Sequence, residues 1–339
     1  MSTRRLDTGG LIDRSQPITF TWDGKKRTGY SGDTLASALI ANGDSVVGRS
    51  FKYHRPRGVM SAGVEESGAI VTVGTGSRTE PNVKATVQEL YDGLAARGQN
   101  AWPSVRFDLG AVNNVLGRFL AAGFYYKTFM GIPPFEWGSG TGMWMRYERM
   151  IRKAAGMGEA SRLPDPDHYE HAHAFCDLLV VGAGPSGIAA AQAAAESGLN
   201  VVLVEQDSLL GGTQLSTPSC GSELIPSVEE LESMGVRVMT RTTVFGLYDY
   251  SVAGLLERVT DHLSDPPDYL PRHRFWTLRS KYTIVAAGAL ERHIAFGNND
   301  QPGVMTAAAV RTYMNRFAVL PGENIIIATN NDSVYESAV

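Results

Sequence analysis

Three glycines spaced G-x-G-x-x-G constrain this chain more than any other feature. Gly182, Gly184 and Gly187 fall between the apolar run Leu178 to Val181 and the alanine-rich run Ile188 to Ser197. A four-residue apolar run of this kind predicts a strand buried on both faces. Gly198 supplies a stop for the helix that follows, and Val201 to Val204 predicts a second buried strand. The unit is therefore strand, glycine turn, helix, strand, with a right-handed connection. Glu205 ends the second strand, 23 residues after Gly182.

Each glycine in that register has its own task. Gly182 permits the tight turn, Gly184 lets backbone approach a pyrophosphate, and Gly187 lets the helix pack close to the sheet. The helix N-terminus adds N–H groups and partial positive charge, which suit a diphosphate. The whole segment Gly182-Ala183-Gly184-Pro185-Ser186-Gly187 is the candidate cradle of a Rossmann-type dinucleotide site. Glu205, with Gln206 beside it, stands where an acid accepts hydrogen bonds from an adenosine ribose. A carboxylate there repels a 2′-phosphate, which favours NAD or FAD over NADP. Gly212 and Thr213 follow the second strand, where small residues admit a cofactor. Ala287 and Gly288 close another apolar strand in the manner of two-dinucleotide flavoprotein folds.

The first hundred residues read differently. Ile18 to Trp22 alternates, Asp23-Gly24 is a hairpin turn pair, and Arg27 to Tyr30 returns. Asp33 stands at a helix N-cap position ahead of Thr34 to Ala41, and Asn42-Gly43 stops that helix. Ala69 to Val73 is a further strand. These elements predict a small β-grasp, ferredoxin-like domain over residues 1–100. Residues 101–170 form an aromatic-rich helical connector, closed by a linker at Pro164 to Asp167. Residues 171–339 form the FAD/NAD(P)-binding Rossmann-type domain, with later strands at Arg237 to Thr240, Thr283 to Ala286 and Ile325 to Ala328. The fold class is α/β (α+β).

Composition narrows the function. A net charge of −4 over 339 residues gives no basic face for nucleic acid. The most apolar stretch, Phe119 to Met130, contains Lys127 and is far short of the ~20 residues a membrane helix needs. No apolar signal segment follows Met1, so the expectation is a cytoplasmic protein with no membrane partner. Cys176 and Cys220 are the only cysteines, too few for a disulfide framework or a four-cysteine metal site. His168, His171 and His173 read as a solvated linker, and no metal is expected. Lys52, His54, Arg55 and Arg57 alternate with Phe51 and Tyr53, a pattern that suits a partner or domain interface.

Several oligopeptides carry a family resemblance. Phe51 to Gly58 (FKYHRPRG), Gly123 to Met130 (GFYYKTFM), Thr243 to Asp249 (TVFGLYD) and Asn299 to Met305 (NDQPGVM) resemble blocks of heterotetrameric sarcosine oxidase α subunits. Thr329 to Asp332 continues the similarity. The resemblance implies a multi-subunit enzyme that oxidatively demethylates sarcosine to glycine. Its products include hydrogen peroxide, with the one-carbon unit leaving as formaldehyde or methylene-tetrahydrofolate. It implies β, γ and δ partner subunits, FAD and FMN on or against the β subunit, and a non-reacting NAD on this chain. Gly182, Gly184, Gly187 and Glu205 would then hold that NAD, with Val244 near the adenine.

Domains of the β-grasp kind often carry a [2Fe–2S] cluster on cysteines spaced C-x₄-C-x₂-C. Residues 43–66 contain no cysteine, so no cluster is expected. Family α chains are also much longer, and this sequence is expected to be a truncated portion without folate chemistry. Alternative readings are a related amine or opine oxidase or cyanide synthase-type subunit holding FAD, and a non-catalytic fragment.

Overall fold

The computed structural model describes residues 4–116, 152, 158–217 and 225–337. The first sheet has five strands in the order β2-β1-β7-β5-β6. They are β1 (Asp13–Trp22), β2 (Lys25–Ser31), β5 (Ile70–Val73), β6 (Glu80–Lys84) and β7 (Ala95–Gly98), and a small ribbon pairs β3 (Gly48–Arg49) with β4 (Pro56–Arg57). Asp23 and Gly24, both at positive φ, turn β1 into β2. β1 runs parallel to β7 at the sheet centre, as a β-grasp requires. Helix α1 (Leu35–Ala41) lies across this sheet with every residue buried. Its N-cap is Thr34 rather than the expected Asp33: Thr34 and Ser37 form a reciprocal capping box. Asp33 is a buried anion that needs a cation. It accepts from Arg5 at 2.6 and 3.0 Å and from the Ser37 hydroxyl at 2.6 Å.

The loop between β4 and β5 closes around one carboxylate. Glu66 is 2% exposed. It accepts backbone N–H bonds from Met60 (2.9 Å), Ser61 (2.7 Å), Gly68 (2.5 Å) and Ala69 (2.9 Å). After β7 come the short helix α2 (Val112–Leu116) and then the residues outside the description. The aromatic connector, from Phe119 to Tyr147, lies outside the described residues, as does Cys220.

The second sheet has six strands in the order β10-β9-β8-β13-β12-β11. These are β8 (Tyr169–Val181), β9 (Val201–Val204), β10 (Val236–Met239), β11 (Thr242–Tyr248), β12 (Val252–Arg258) and β13 (His273–Val285). Strands β10, β9, β8 and β13 are parallel, and β12 and β11 add antiparallel. The apolar run of β9 serves both faces. Val201 and Leu203 pack under α3 (Pro185–Glu196) and α4 (Val228–Ser233), while Val202 and Val204 face Leu255, Trp276 and Leu278.

Two further segments depart from expectation. Residues 168–176, read as a linker, mostly belong to β8, which pairs with β13 from Tyr169↔His273 to Val181↔Val285. Ala172, Ala174 and Cys176 turn inward between outward-facing His171, His173 and Phe175. That period-two signal was hidden because small residues occupy the inward positions. Ile325 to Ala328 is not a strand: no described strand pairs with it, and Ile326 is 96% exposed. An apolar run becomes a strand only where a neighbour accepts its hydrogen bonds.

The chain returns to the first core near its end. Helix α5 (Ala307–Asn315), capped by Thr306, inserts Tyr313, with Phe317 just beyond it, against the β-grasp core. The Tyr313 hydroxyl donates to Ser61 O at 2.9 Å. Burial raises the Tyr313 hydroxyl well above the ordinary tyrosine range, so it stays a donor. Glu291 accepts from the first-turn N–H groups of Ala307 and Ala308, a structural role at a helix N-terminus. The basic run also faces inward to the chain. Arg55 pairs with Asp300 at 2.7 Å and Arg57 with the same residue at 3.3 Å. Two of the oligopeptide blocks therefore meet. Among the described residues, no helix is long and apolar enough to cross a membrane.

Candidate dinucleotide site

The site is built where β8 stops and α3 starts. Gly182 has φ of +100°, and a Cβ there would lie 2.5 Å from Ala286 O. A Cβ on Gly187 would lie 1.9 Å from Gly182 O. Both positions are closed to side chains by the protein itself. Gly184 differs: nothing stands within 4 Å of its Cβ direction. It is also the N-cap of α3, has no side chain to cap with, and is followed by Pro185 at N1. The first turn of α3 thus faces open space with no side-chain cap.

Glu205 is 8% exposed and sits directly beneath the turn. Its Oε2 accepts from Ala183 N at 2.7 Å and its Oε1 from Asp207 N at 2.9 Å. Burial raises its carboxyl above the ordinary glutamate range, and these N–H groups oppose that. A carboxylate has roughly four lone-pair positions, so acceptor capacity for a sugar hydroxyl remains. Ala183 is fully buried and its carbonyl accepts from Gly211 N at 2.8 Å. That bond carries the following segment over the turn. A Cβ on Gly212 would lie 3.0 Å from Gly184 Cα. Thr213 is exposed in the 3₁₀ turn Gly212–Ser216, and Pro185, Ser186 and Gln206 are exposed around the same opening.

On the other flank, Ala286 N donates to Val181 O at 2.8 Å. Ala287 therefore borders Gly182, and Gly288 follows at φ +73° in the open. Val244 lies on β11, which starts where Thr242 N donates to Glu205 O at 2.8 Å. The structure brings together Gly182 to Gly187, Glu205, Gly212 and Ala287. Val244 stands past Glu205, half-buried against the core.

Sequence reasoning missed the ionic belt around the loop after β9. Asp207 takes both oxygens to Arg316, at 2.5 and 2.8 Å. Burial pushes the Asp207 carboxyl up, but the Arg316 guanidinium outweighs it and holds it below the ordinary aspartate range. Glu89 takes Arg241 in the same two-bond fashion, at 2.7 Å each. These partners are 109 and 152 residues apart, so no local pattern announces them. Cys176 is buried, which raises its thiol to about 11 and leaves it protonated. Among the described residues no group of three or more His, Cys, Asp or Glu is placed to hold a metal ion.

Comparisons agree with this two-part layout. Residues 177–265 match the family described as FAD dependent oxidoreductase. Residues 15–101 match the family described as 2Fe-2S iron-sulfur cluster binding domain. That second match overturns the expectation that no [2Fe–2S] cluster belongs to this chain. The expectation rested on missing cysteines, which speak for ligand atoms and not for descent. The chemistry of the donor set still does not fit thiolate ligation, since both cysteines lie outside 15–101.

Sarcosine oxidase subunit alpha of Rhizobium meliloti (strain 1021) is 51% identical over all of this chain and 34% of the relative. Sarcosine oxidase subunit alpha of Corynebacterium sp. (strain U-96) is 35% identical over 96% of the chain and 29% of the relative. Among solved structures, L-proline dehydrogenase from P. horikoshii superposes with a TM-score of 0.57. It is 20% identical and covers 94% of this chain and 50% of its own, so it shows the shared fold alone. The chain spans about a third of the length of the curated relatives it matches, and over that third it is similar to sarcosine oxidase α subunits along its whole length.

Proposed function

We propose that this chain is the NAD-holding part of a sarcosine oxidase α subunit, acting in the cytoplasm beside β, γ and δ subunits. The observation that carries it is the uncapped α3 N-terminus at Gly184, open to solvent, with the Glu205 carboxylate held beneath. An open, positively polarised N-terminus suits a diphosphate, and the acid suits a ribose bearing two free hydroxyls. The residues assigned are Gly182 to Gly187, Glu205, Gln206, Gly212, Thr213, Val244, Ala287 and Gly288. Their task is binding and orientation. The amine oxidation belongs to flavin on a partner subunit. There sarcosine, oxygen and water become glycine, formaldehyde and hydrogen peroxide, or the one-carbon unit passes to tetrahydrofolate.

FAD in this same site, in a related amine or opine oxidase, is the second reading. The match of residues 177–265 to FAD dependent oxidoreductases favours keeping it. Cofactor identity decides between them. The purified protein is denatured, and the released nucleotide is separated and weighed by mass spectrometry. NAD is expected; a visible flavin spectrum assigns the site to FAD, and no nucleotide together with no NAD-dependent thermal shift ends both readings.

A further inference from the structure

Helices α3 and α4 cover only the parallel half of the six-stranded sheet. Among the described residues, the core beneath them holds nothing from β11, β12 or β13, and nothing of β8 before Leu178. An antiparallel sheet face left to water normally carries polar side chains. Here Tyr169, His171, His173 and Phe175 alternate outward along β8, and the first and last are 49% and 71% exposed. Phe275 of β13 stands opposite His171, with ring centroids 5.2 Å apart. The register shift between Val244 and Gly246 turns Phe245 of β11 toward the same Phe275 ring, at 5.4 Å. Gly254 makes room for it, since a Cβ there would lie 2.5 Å from the Phe245 ring. Four strands therefore share one aromatic outer face.

The β11–β12 hairpin continues that face and is strained at its tip. Tyr248 pairs with Val252 at the hairpin base, in the row that runs through Arg279 to Phe175. Beyond it Tyr250 at φ +60° and Ser251 at φ +56° hold the left-handed region without being glycine, and Tyr250 is 89% exposed. Backbone kept there against its preference gathers at sites of function. Along β8, β12 and β13 the outward positions include His171, His173 and Arg279 and no carboxylate. The next acid along β8, Asp177, is taken by Lys281 at 2.7 Å.

Charge selects the occupant. A two-fold contact with a second copy sets one patch against its own image, here Arg279 and the histidines against themselves with no acid between. Nucleic acid needs a concentrated basic face, which a chain of net charge −4 with one arginine here does not offer. We propose that this face docks a partner subunit whose contact surface is apolar at its centre and carries carboxylates at its edge. Phe175, Phe245 and Tyr250 are the anchors, since aromatic side chains at the centre carry most of the energy of such contacts. Arg279 at the rim selects the carboxylates. This rests on the multi-subunit part of the proposed function and adds to it the face that is used.

Co-expression of the whole chain with the β, γ and δ subunits of a sarcosine oxidase tests this. Hydroxyl-radical footprinting of the wild type, alone and in the complex, needs no variant. Phe175, Phe245 and Tyr250 are expected to react in the isolated chain and to be protected in the complex. Phe175→Glu, Phe245→Glu and Arg279→Glu, with folding checked by circular dichroism melts, are each expected to weaken assembly by about tenfold or more. If the wild type assembles while the three rings stay reactive, or if the phenylalanine variants assemble equally well, the docking face is overturned and the subunit reading stands. Tighter assembly of Arg279→Glu overturns the carboxylate chemistry. Rings already unreactive in the isolated chain are covered by this chain or a second copy, which also overturns the proposal. So does sedimentation of the wild type, but not of Phe175→Glu, with phosphatidylglycerol vesicles, which gives the face to a membrane. If the wild type binds none of the subunits, the proposal and the subunit reading fall together.

Discussion

Two backbone loops in this molecule gather N–H groups at a point, and they end in opposite states. The loop from Met60 to Ala69 is filled by its own Glu66, which takes four backbone donors in a site closed to water. The turn from Gly182 to Gly187 points the start of α3 outward, and Gly184 leaves the space in front of it empty. In the first loop the anion belongs to the chain and serves folding. In the second no atom of the chain stands within 4 Å of the Cβ direction of Gly184. Whether a chain supplies its own acceptor to a nest of donors tells more about the role of the loop than its glycine content does.

The largest effect that would break the comparison is at Glu66. Glu66→Ala leaves four N–H groups without an acceptor in the interior, each worth about 1–3 kcal/mol when unsatisfied. A loss on the order of 4 kcal/mol or more in urea unfolding is expected, allowing for water entry. A loss near 1 kcal/mol would show that this loop is not held by its carboxylate. Gly184→Val is the reverse experiment. Nothing stands within 4 Å of the new Cβ, so the melting point should stay within a few degrees of the wild type. The valine blocks the pyrophosphate's approach, so NAD affinity should drop at least ~100-fold, about 2.7 kcal/mol. Retained affinity would move the cofactor elsewhere.

Next in size is Arg316→Ala. It strips the half-buried Asp207 of its two-bond partner, and a cost of roughly 2 kcal/mol is expected, between the limits for exposed and buried pairs. The smallest effects come from pH, and the two acids near the turn act with opposite sign. Asp207 titrates below its ordinary value, so its contribution is present above the ordinary aspartate range and is lost as pH falls through its folded pKa. Glu205 titrates above its ordinary value, so the folded protein holds a proton longer than the unfolded chain. Stability therefore falls as pH rises from the ordinary glutamate value through the higher folded one. Glu205→Gln should flatten the second limb in melts from about pH 2 to 7 and leave the first, which lies below the ordinary aspartate range. An unchanged slope would mean that Glu205 is not the group responsible.

Local pattern made the glycine turn, the strand pair and helix around it, the hairpin at Asp23-Gly24 and the acid at Glu205 legible. Each is specified by neighbours within one element or the next, where period and glycine placement speak directly. The same reading misjudged 168–176, because alanines and a cysteine on the inner face of β8 carry too little hydrophobic contrast to stand out. It also misjudged Ile325 to Ala328, because four apolar residues suit a strand whether or not a partner is there. The ferredoxin-like domain was legible from its hairpin and helix, whereas the expected absence of a [2Fe–2S] cluster, read from missing cysteines, is overturned by the match of residues 15–101.

What sequence alone determined is the dinucleotide-type turn and the order of the units, since short-range sterics and hydrophobic period dictate both. Only the tertiary structure decided that α5 belongs to the β-grasp core, that Glu66 occupies its own loop, and that Arg241 and Arg316 join the halves. Those contacts link residues a hundred or more positions apart or depend on which donors are left over after packing. Neither quantity exists until the chain has folded.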